Sequence, residues 1–309
     1  MVAENSSVTE FILAGLTHHP GLQLPLFFLF LGSYMVTAVG NLGLLTLIGL
    51  SSHLHTPMYF FLYNLSFIDF CYSTVITPKM LMSFVSEKNV ISYAGCMTQL
   101  FFFCFFVVSE SFILSAMAYD RYVAICNPLV YTATVSPRVC ALLMLGSYAV
   151  GFAGAMAHTG NMLRLTFCGS NIIDHYLCEV LPLLQLSCTS THVNELVFSI
   201  VVGMVIATSS ISIFISYALI LSSILRIPSA EGRSKAFGTC GSHITAVALF
   251  FGSGAFTYLT TSFPGSVGRS KYASVFYTNV VPMLNPLIYS LRNKDVKLAL
   301  GKTLKRVLF

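Results

Sequence analysis

Seven stretches of this chain each approach or exceed the ~20 apolar residues that cross a bilayer as a helix. They cover residues 24–50, 57–78, 96–119, 139–163, 196–225, 236–263 and 272–291. Five of the seven contain no Asp, Glu, Lys or Arg; the second holds Asp69 and the third Glu110. Charged residues make up 9% of the 309, against roughly 25% in soluble domains, and mean hydropathy is +0.80. A soluble protein could not cover so large an apolar fraction with so few charges. Runs such as LPLFFLFL and FFFCFFVV lack the alternation of a membrane β-barrel. The expected fold is all-α: a seven-transmembrane-helix bundle forming a single domain over 1–309, with an N-terminal segment at 1–23, the bundle at 24–291 and a tail at 292–309.

Orientation follows from the connecting segments, because Lys and Arg collect on the cytoplasmic side. With the N-terminus outside, eleven basic residues fall inside (Arg121, Arg138, Arg226, Arg233, Lys235, Arg292, Lys294, Lys297, Lys302, Lys305 and Arg306). Five fall outside: Lys79, Lys88, Arg164, Arg269 and Lys271. Residues 1–23 carry Glu4 and Glu10 but neither Lys or Arg nor an apolar core, so helix one is expected to act as an uncleaved signal. Asn5-Ser6-Ser7 is a glycosylation sequon on the outer face, whereas Asn64-Leu65-Ser66 lies inside helix two, beyond a glycosylating enzyme. Cys96 opens helix three on the outside, and Cys168, Cys178 and Cys188 lie in the long loop after helix four, an oxidising setting that suggests two bridges. Four cysteines permit three pairings. Cys71, Cys104, Cys126, Cys140 and Cys240 read as reduced packing residues. His175-x-x-Cys178-Glu179 has the donors of a metal site, but a disulfide would consume its sulfur.

The run MAYDRYVAIC, Met117 to Cys126, sets Asp120 and Arg121 at a membrane boundary, where opposite charges are costly unless they pair with each other or with a partner. Further motifs join it in order: Gly40-Asn41, PMYFFLYNLSFIDFCYSTVITPKML, Asn127-Pro128 onward, Ser216-Tyr217, KAFGTCGSH and PMLNPLIYSLRNKDVK. Together they identify the chain as a member of the olfactory receptor family of rhodopsin-like G-protein-coupled receptors, and the match runs almost end to end. The resemblance implies bridges Cys96–Cys178 and Cys168–Cys188. It implies a small volatile odorant as ligand, a heterotrimeric G protein of the stimulatory, olfactory type as partner, and cyclic AMP as output. Membrane lipid surrounds such a protein, nucleic acid is not an expected partner, and no cofactor is required. Two positions depart from the family pattern: Gly238 stands where Ser is common, and Phe251 replaces the more frequent tyrosine.

Asp69 and Glu110 are ionisable groups within apolar helices, where lone carboxylates would be neutralised or paired. The resemblance implies that they lie together around a sodium ion; a protonated, hydrogen-bonded pair is the alternative. Asn41, Ser111 and Asn285 could supply neighbouring polar contacts. Pro286 in Asn285-Pro286-x-x-Tyr289 removes a helical hydrogen bond and could act as a pivot. By resemblance Asp120, Arg121, Tyr122, Tyr217, Asn285, Pro286 and Tyr289 rearrange on activation. His243 reads either as a protonation switch or as a packing histidine.

The outer half of helix three is aromatic and aliphatic, with no Asp to hold an amine. The family seats its ligand between helices three, five, six and seven. The expected lining is Phe103, Cys104, Val107, Val108, Phe198, Val202, Val205, Ile206, Phe251, Ala255, Tyr258 and Thr278, suited to an uncharged ligand, with Tyr258 and Thr278 orienting it. In the tail Val296, Leu300, Leu304 and Leu308 recur every four residues among Lys297, Lys302, Lys305 and Arg306, as in a basic helix lying on the inner leaflet. No phosphate loop, zinc motif or nucleophile elbow is present, so no enzymatic activity is expected. A transporter would show repeated halves, and a retinal photoreceptor would need a lysine within 272–291; neither is found. A small-molecule receptor outside olfaction is the first alternative, and a membrane transporter the more distant one.

Overall fold

The computed structural model describes residues 8–17, 19–261 and 267–308. Six long helices, α1 Pro20–Leu50, α2 Pro57–Val85, α3 Tyr93–Cys126, α4 Pro137–Met162, α5 His192–Leu225 and α6 Ala230–Thr261, are followed by a broken seventh. That α7 consists of Val267–Val275, a π turn at Phe276–Val280, and Val281–Arg292; α8, Lys294–Leu308, completes the chain. The starts are written in the sequence. Pro20, Pro57 and Pro137 sit in the first turn of α1, α2 and α4, where a missing N–H costs nothing. The Ser92 and Ser136 hydroxyls cap α3 and α4 by accepting from Gly95 and Val139 N–H.

Helices α1 to α5 are each long and apolar enough to span a membrane. The most apolar window of α3 is 67% buried and those of α1 and α5 only 11%, so α3 is the axis of the bundle and the others present Phe28, Leu29 and Phe214 outward. Phe61, Leu65, Ile68 and Ile76 of α2 and Ile113 of α3 are fully enclosed. Two glycines permit close approaches. A Cβ on Gly151 of α4 would strike Ser109 Oγ and the Phe105 carbonyl of α3, and one on Gly40 of α1 would lie 2.9 Å from Pro286 Cγ of α7.

The structure corrects several sequence boundaries. α3 continues beyond residue 119 to Cys126, so Asp120, Arg121 and Tyr122 are helical residues; it stops where Pro128 disfavours helical backbone at Asn127. α6 begins at Ala230 rather than 236 because its polar first turns extend past the apolar stretch. α7 begins at Val267 rather than 272, and so includes Lys271. In α8 Val296 and Ala299 are buried while Leu298 and Leu300 are exposed, so of the apolar row Val296 meets the bundle and Leu300, one turn on, is left outside it; the side chains of Leu304, Lys305, Arg306 and Leu308 lie outside the described residues.

One element was not foreseen. Strand β1, Glu10–Leu13, pairs antiparallel with β2, Val90–Ser92, and parallel with β3, Ile172–Ile173, at the end of the bundle that carries the disulfides. Phe11 and Leu13, two residues apart, point into the core at 0% and 2% exposure, as strand periodicity requires. Four residues joining two loops distant in sequence give too short a pattern to read in advance. The Cys96–Cys178 bridge ties α3 to the loop after α4, and Cys168–Cys188 closes that loop, with Cα separations of 5.6 and 5.9 Å. These are the pairings that the resemblance implied. The other five cysteines are free.

Candidate functional site

Near the disulfide end, α3 to α7 and the bridged loop enclose a cavity of about 360 Å³, within the range of small-ligand pockets. Phe103, Cys104, Val107 and Val108 line it from α3, Phe198, Val202, Val205 and Ile206 from α5, and Phe251 and Ala255 from α6. The Tyr258 side chain lies outside the described residues, as does Asn5. Thr278 is fully buried but is not in the cavity wall. Its hydroxyl lies 2.8 Å from the Tyr176 hydroxyl and donates to the Ser274 carbonyl. Phe251 adds ring surface to the wall rather than a hydroxyl.

The wall also holds polar groups that sequence reasoning missed: His158 from α4, Glu179 from the loop, Ser210 from α5, Thr257 from α6 and Tyr277 from the π turn. Glu179 follows Cys178, and the disulfide that anchors Cys178 to α3 swings the acid into the cavity. That adjacency was the available signal. Tyr277 donates to Glu179 Oε1 at 2.7 Å. The pocket therefore contains an acid after all, supplied by the loop rather than by helix three.

Behind this wall the loop and α7 are stitched together. Tyr176 meets Ser274 at 2.9 Å, and Lys271 donates to Asp174 at 2.8 Å. His175 stacks on Tyr176 with ring centroids 4.5 Å apart. Its Nδ1 accepts from the Leu177 N–H at 3.3 Å, so the proton sits on Nε2, which lies 3.2 Å from Ser274 Oγ and 3.7 Å from Glu179 Oε2. Burial holds His175 below its ordinary pKa, outweighing the opposite pull of Glu179, and burial pushes the Tyr176 phenol up. Lys271 is thus spent on Asp174 and is not in the cavity wall.

Deeper in the bundle Asn285 Nδ2 on α7 donates to Asp69 Oδ2 on α2 at 2.9 Å, and Glu110 on α3 is within electrostatic reach of Asp69. Asp69 Oδ1, both Glu110 oxygens, Ser73 Oγ and Asn285 Oδ1 are buried and find no hydrogen-bond donor among the described residues. Carboxyl and amide oxygens are the donors that a small hard cation takes, and Asp69, Glu110 and Asn285 bring theirs together from α2, α3 and α7. Asn41 donates to the Thr37 and Pro282 carbonyls, tying α1 to α7, and Ser111 donates to Val107 in its own helix. Among the described residues no group of three or more His, Cys, Asp or Glu side chains is placed to hold a metal ion, and Cys178 is committed to its disulfide.

At the opposite end Asp120 Oδ1 accepts from the Tyr131 hydroxyl at 2.7 Å. Burial and the bond to Asp120 push the Tyr131 phenol above its ordinary range, keeping it a donor. Tyr131 closes the motif that begins at Met117, yet its role was not foreseen. Arg121 Nη2 lies 3.7 Å from Met58 Sδ on α2. His243 Nε2 is 3.0 Å from the Leu114 carbonyl, which can only accept, so the proton lies there and Nδ1 accepts from the Tyr217 hydroxyl at 2.6 Å. Both ring nitrogens are satisfied, joining α3, α5 and α6. Tyr122 and Tyr217 pack on Ile220, Ile224 and Cys240. Tyr289 is buried with its hydroxyl lacking a hydrogen-bond partner among the described residues.

Comparison with known proteins accounts for this arrangement. The olfactory receptor family model matches residues 30–307. Human olfactory receptor 8B4 is 79% identical over 305 residues, covering 99% of this chain and 98% of the relative. Mouse olfactory receptor 8B8 is 74% identical over 309 residues and the full length of both. Squid rhodopsin shares the fold at a TM-score of 0.71 and 18% identity, covering 94% of this chain and 82% of that one. The chain belongs to the olfactory receptor family of G-protein-coupled receptors, multi-pass proteins of the plasma membrane that are not enzymes.

Proposed function

We propose that a small, largely apolar, uncharged volatile odorant binds in the cavity between α3, α5, α6 and α7, and that the occupied receptor activates a heterotrimeric G protein of the stimulatory, olfactory type, raising cyclic AMP. The observation that carries this reading is the cavity of about 360 Å³ walled by Phe, Val, Ile and Ala side chains. Burying an apolar ligand there yields ~25 cal/mol for each Å² removed from water, and the few polar groups orient it. We read the N-terminus as outside, since the disulfides then face the oxidising compartment and Asp120, Arg121, Tyr122 and Tyr217 face the G protein. Single-domain organisation over 1–309, glycosylation at Asn5 and α8 resting on inner-leaflet lipid belong to the same reading.

Asp69 and Glu110 would hold a sodium ion, with Asn285 contributing an oxygen, and the ion would supply the positive charge that two buried carboxylates require. Its binding would favour the resting packing of α2, α3 and α7 around Pro286. The test is a screen of volatile compounds on cells expressing the full chain, read by a cyclic-AMP reporter. Agonists that act and lose potency in Val205→Phe support the proposal. Agonists of full potency in that variant, at equal surface level, would place the ligand elsewhere. Failure of every agonist to raise cyclic AMP while another second messenger responds would reassign the G protein.

A further inference from the structure

The polar groups of the cavity wall are not evenly divided between donors and acceptors. The Ser111 hydroxyl donates to the Val107 carbonyl at 3.0 Å and the Thr257 hydroxyl to the Ser253 carbonyl at 3.0 Å, each within its own helix. Tyr277 gives its proton to Glu179 Oε1 at 2.7 Å. The protons of these three hydroxyls are thus committed within the protein. Among the described lining residues Glu179 is the charged one, and its carboxylate can only accept. Oε2 has the neutral His175 edge at 3.7 Å, outside hydrogen-bond range, and the side chain is 16% exposed on a residue that lines the cavity. A proton donor is left to His158 and Ser210, on α4 and α5.

We infer that Glu179 is a specificity-determining residue: Oε2 accepts a hydrogen bond from the ligand, so the receptor prefers hydroxyl-bearing volatiles to ethers and ketones of the same shape. The inference rests on the ligand reading proposed above. A neutral hydroxyl is favoured over an ammonium because it satisfies the oxygen without carrying a full charge out of water into an apolar wall. Tyr277 already donates to Oε1, which leaves Oε2 as the oxygen that no hydrogen bond from the described residues occupies. The contact also has a mechanical setting, since Tyr277 belongs to the π turn of α7, and π turns inside helices concentrate at functional positions.

The test compares straight-chain primary alcohols with their methyl ethers and matching methyl ketones on cells expressing the full chain, with surface staining in parallel. A hydrogen bond to a charged acceptor is expected to make alcohols about tenfold to a hundredfold more potent than the ethers. In Glu179→Gln the new amide donates as well as accepts, so the alcohol advantage should fall about tenfold while ketones gain. Equal potency of alcohols and ethers on the unaltered receptor overturns the inference. So does an unchanged alcohol advantage in Glu179→Gln at normal surface level. Protonated amines that outperform every alcohol and lose that lead in Glu179→Gln overturn the neutral-hydroxyl class. If Glu179→Gln fails to reach the surface, Tyr277→Phe decides: freeing Oε1 should raise alcohol potency severalfold and leave ethers unmoved, and no change counts against Glu179. Val202→Phe separates the two readings. It should silence alcohols, ethers and ketones alike, and responses that survive it defeat the cavity itself rather than the role of Glu179.

Discussion

The two ends of this bundle are held in opposite ways. At the disulfide end, two covalent bridges, a three-stranded sheet and a web from Asp174 to Glu179 fix a loop onto α3 and α7. At the other end, one hydrogen bond ties Asp120 of α3 to Tyr131 in the segment before α4, and His243 of α6 makes one to Tyr217 of α5 and one to the Leu114 carbonyl of α3. A net hydrogen bond contributes about 1 kcal/mol, whereas loss of a native disulfide costs about 2–5 kcal/mol. A ligand site must be preorganised, while a coupling surface must be able to change partners at a cost of a few kcal/mol. The disulfide end suits the first requirement and the Arg121 end the second.

The largest effects should separate the ends cleanly. Cys96→Ser or Cys178→Ser should all but abolish surface delivery, because about 2–5 kcal/mol is a large share of a membrane domain's margin. Surface staining measures it, and normal delivery with a normal response in either variant breaks the comparison from the side of the rigid end. Arg121→Ala should do the reverse: reach the surface, bind agonist and fail to activate its G protein. A full response in that variant would mean the switch lies elsewhere.

Gly151→Val comes next. The added side chain meets Ser109 Oγ and the Phe105 carbonyl, and overpacking of this kind costs about 1–3 kcal/mol, so thermal stability of detergent-purified receptor should fall while agonist ranking is preserved. Tyr131→Phe leaves the buried Asp120 oxygen without its donor, a loss of about 1–3 kcal/mol from the resting packing. Agonist-independent signalling should rise severalfold, and unchanged basal signalling would show that this bond does not restrain activation.

The two ends also differ in how much of them could be read in advance. At the Arg121 end the residues lie in contiguous motifs, so Asp120, Arg121, Tyr217 and His243 could be named in advance, but their partners could not: Tyr131 for Asp120, Met58 beside Arg121, and the bond between Tyr217 and His243. The helices were visible as well, because a bilayer demands long apolar runs whatever their packing. The cavity was legible where one helix face sufficed, as for Phe103, Val107 and Val108. It was not legible where the wall converges from distant segments. Glu179 and Tyr277 are 98 positions apart, and neither residue alone suggests the bond between them. β1 and the extension of α3 through Asp120 escaped for a related reason: pairing partners and helix ends outside the lipid are set by tertiary contacts rather than by hydropathy.

The smallest effect tests whether the rigid end is rigid at every pH. His175 is fully buried, and burial sets its folded pKa below the unfolded value of about 6.5. The unfolded segment therefore takes up the proton first as pH falls, so the loop's contribution to stability is complete above about 6.5 and declines below it, toward the depressed folded value. A second proton would have to enter at Nδ1, where the Leu177 N–H already donates, turning an accepted hydrogen bond into two donors facing each other. Asp174, Glu179 and Lys271 also face this cluster, so acidification alone does not isolate the imidazole. His175→Asn does, because it keeps an acceptor near the Leu177 N–H but cannot titrate. Hydrogen exchange over residues 174–179 of purified receptor should speed up on mild acidification in the unaltered chain and change less in His175→Asn. Equal acid sensitivity in the two would assign the effect to the carboxylates. Uniform protection of the unaltered chain at both pH values would show that the disulfides alone hold the loop, and that its hydrogen bonds are as replaceable as those at the Arg121 end.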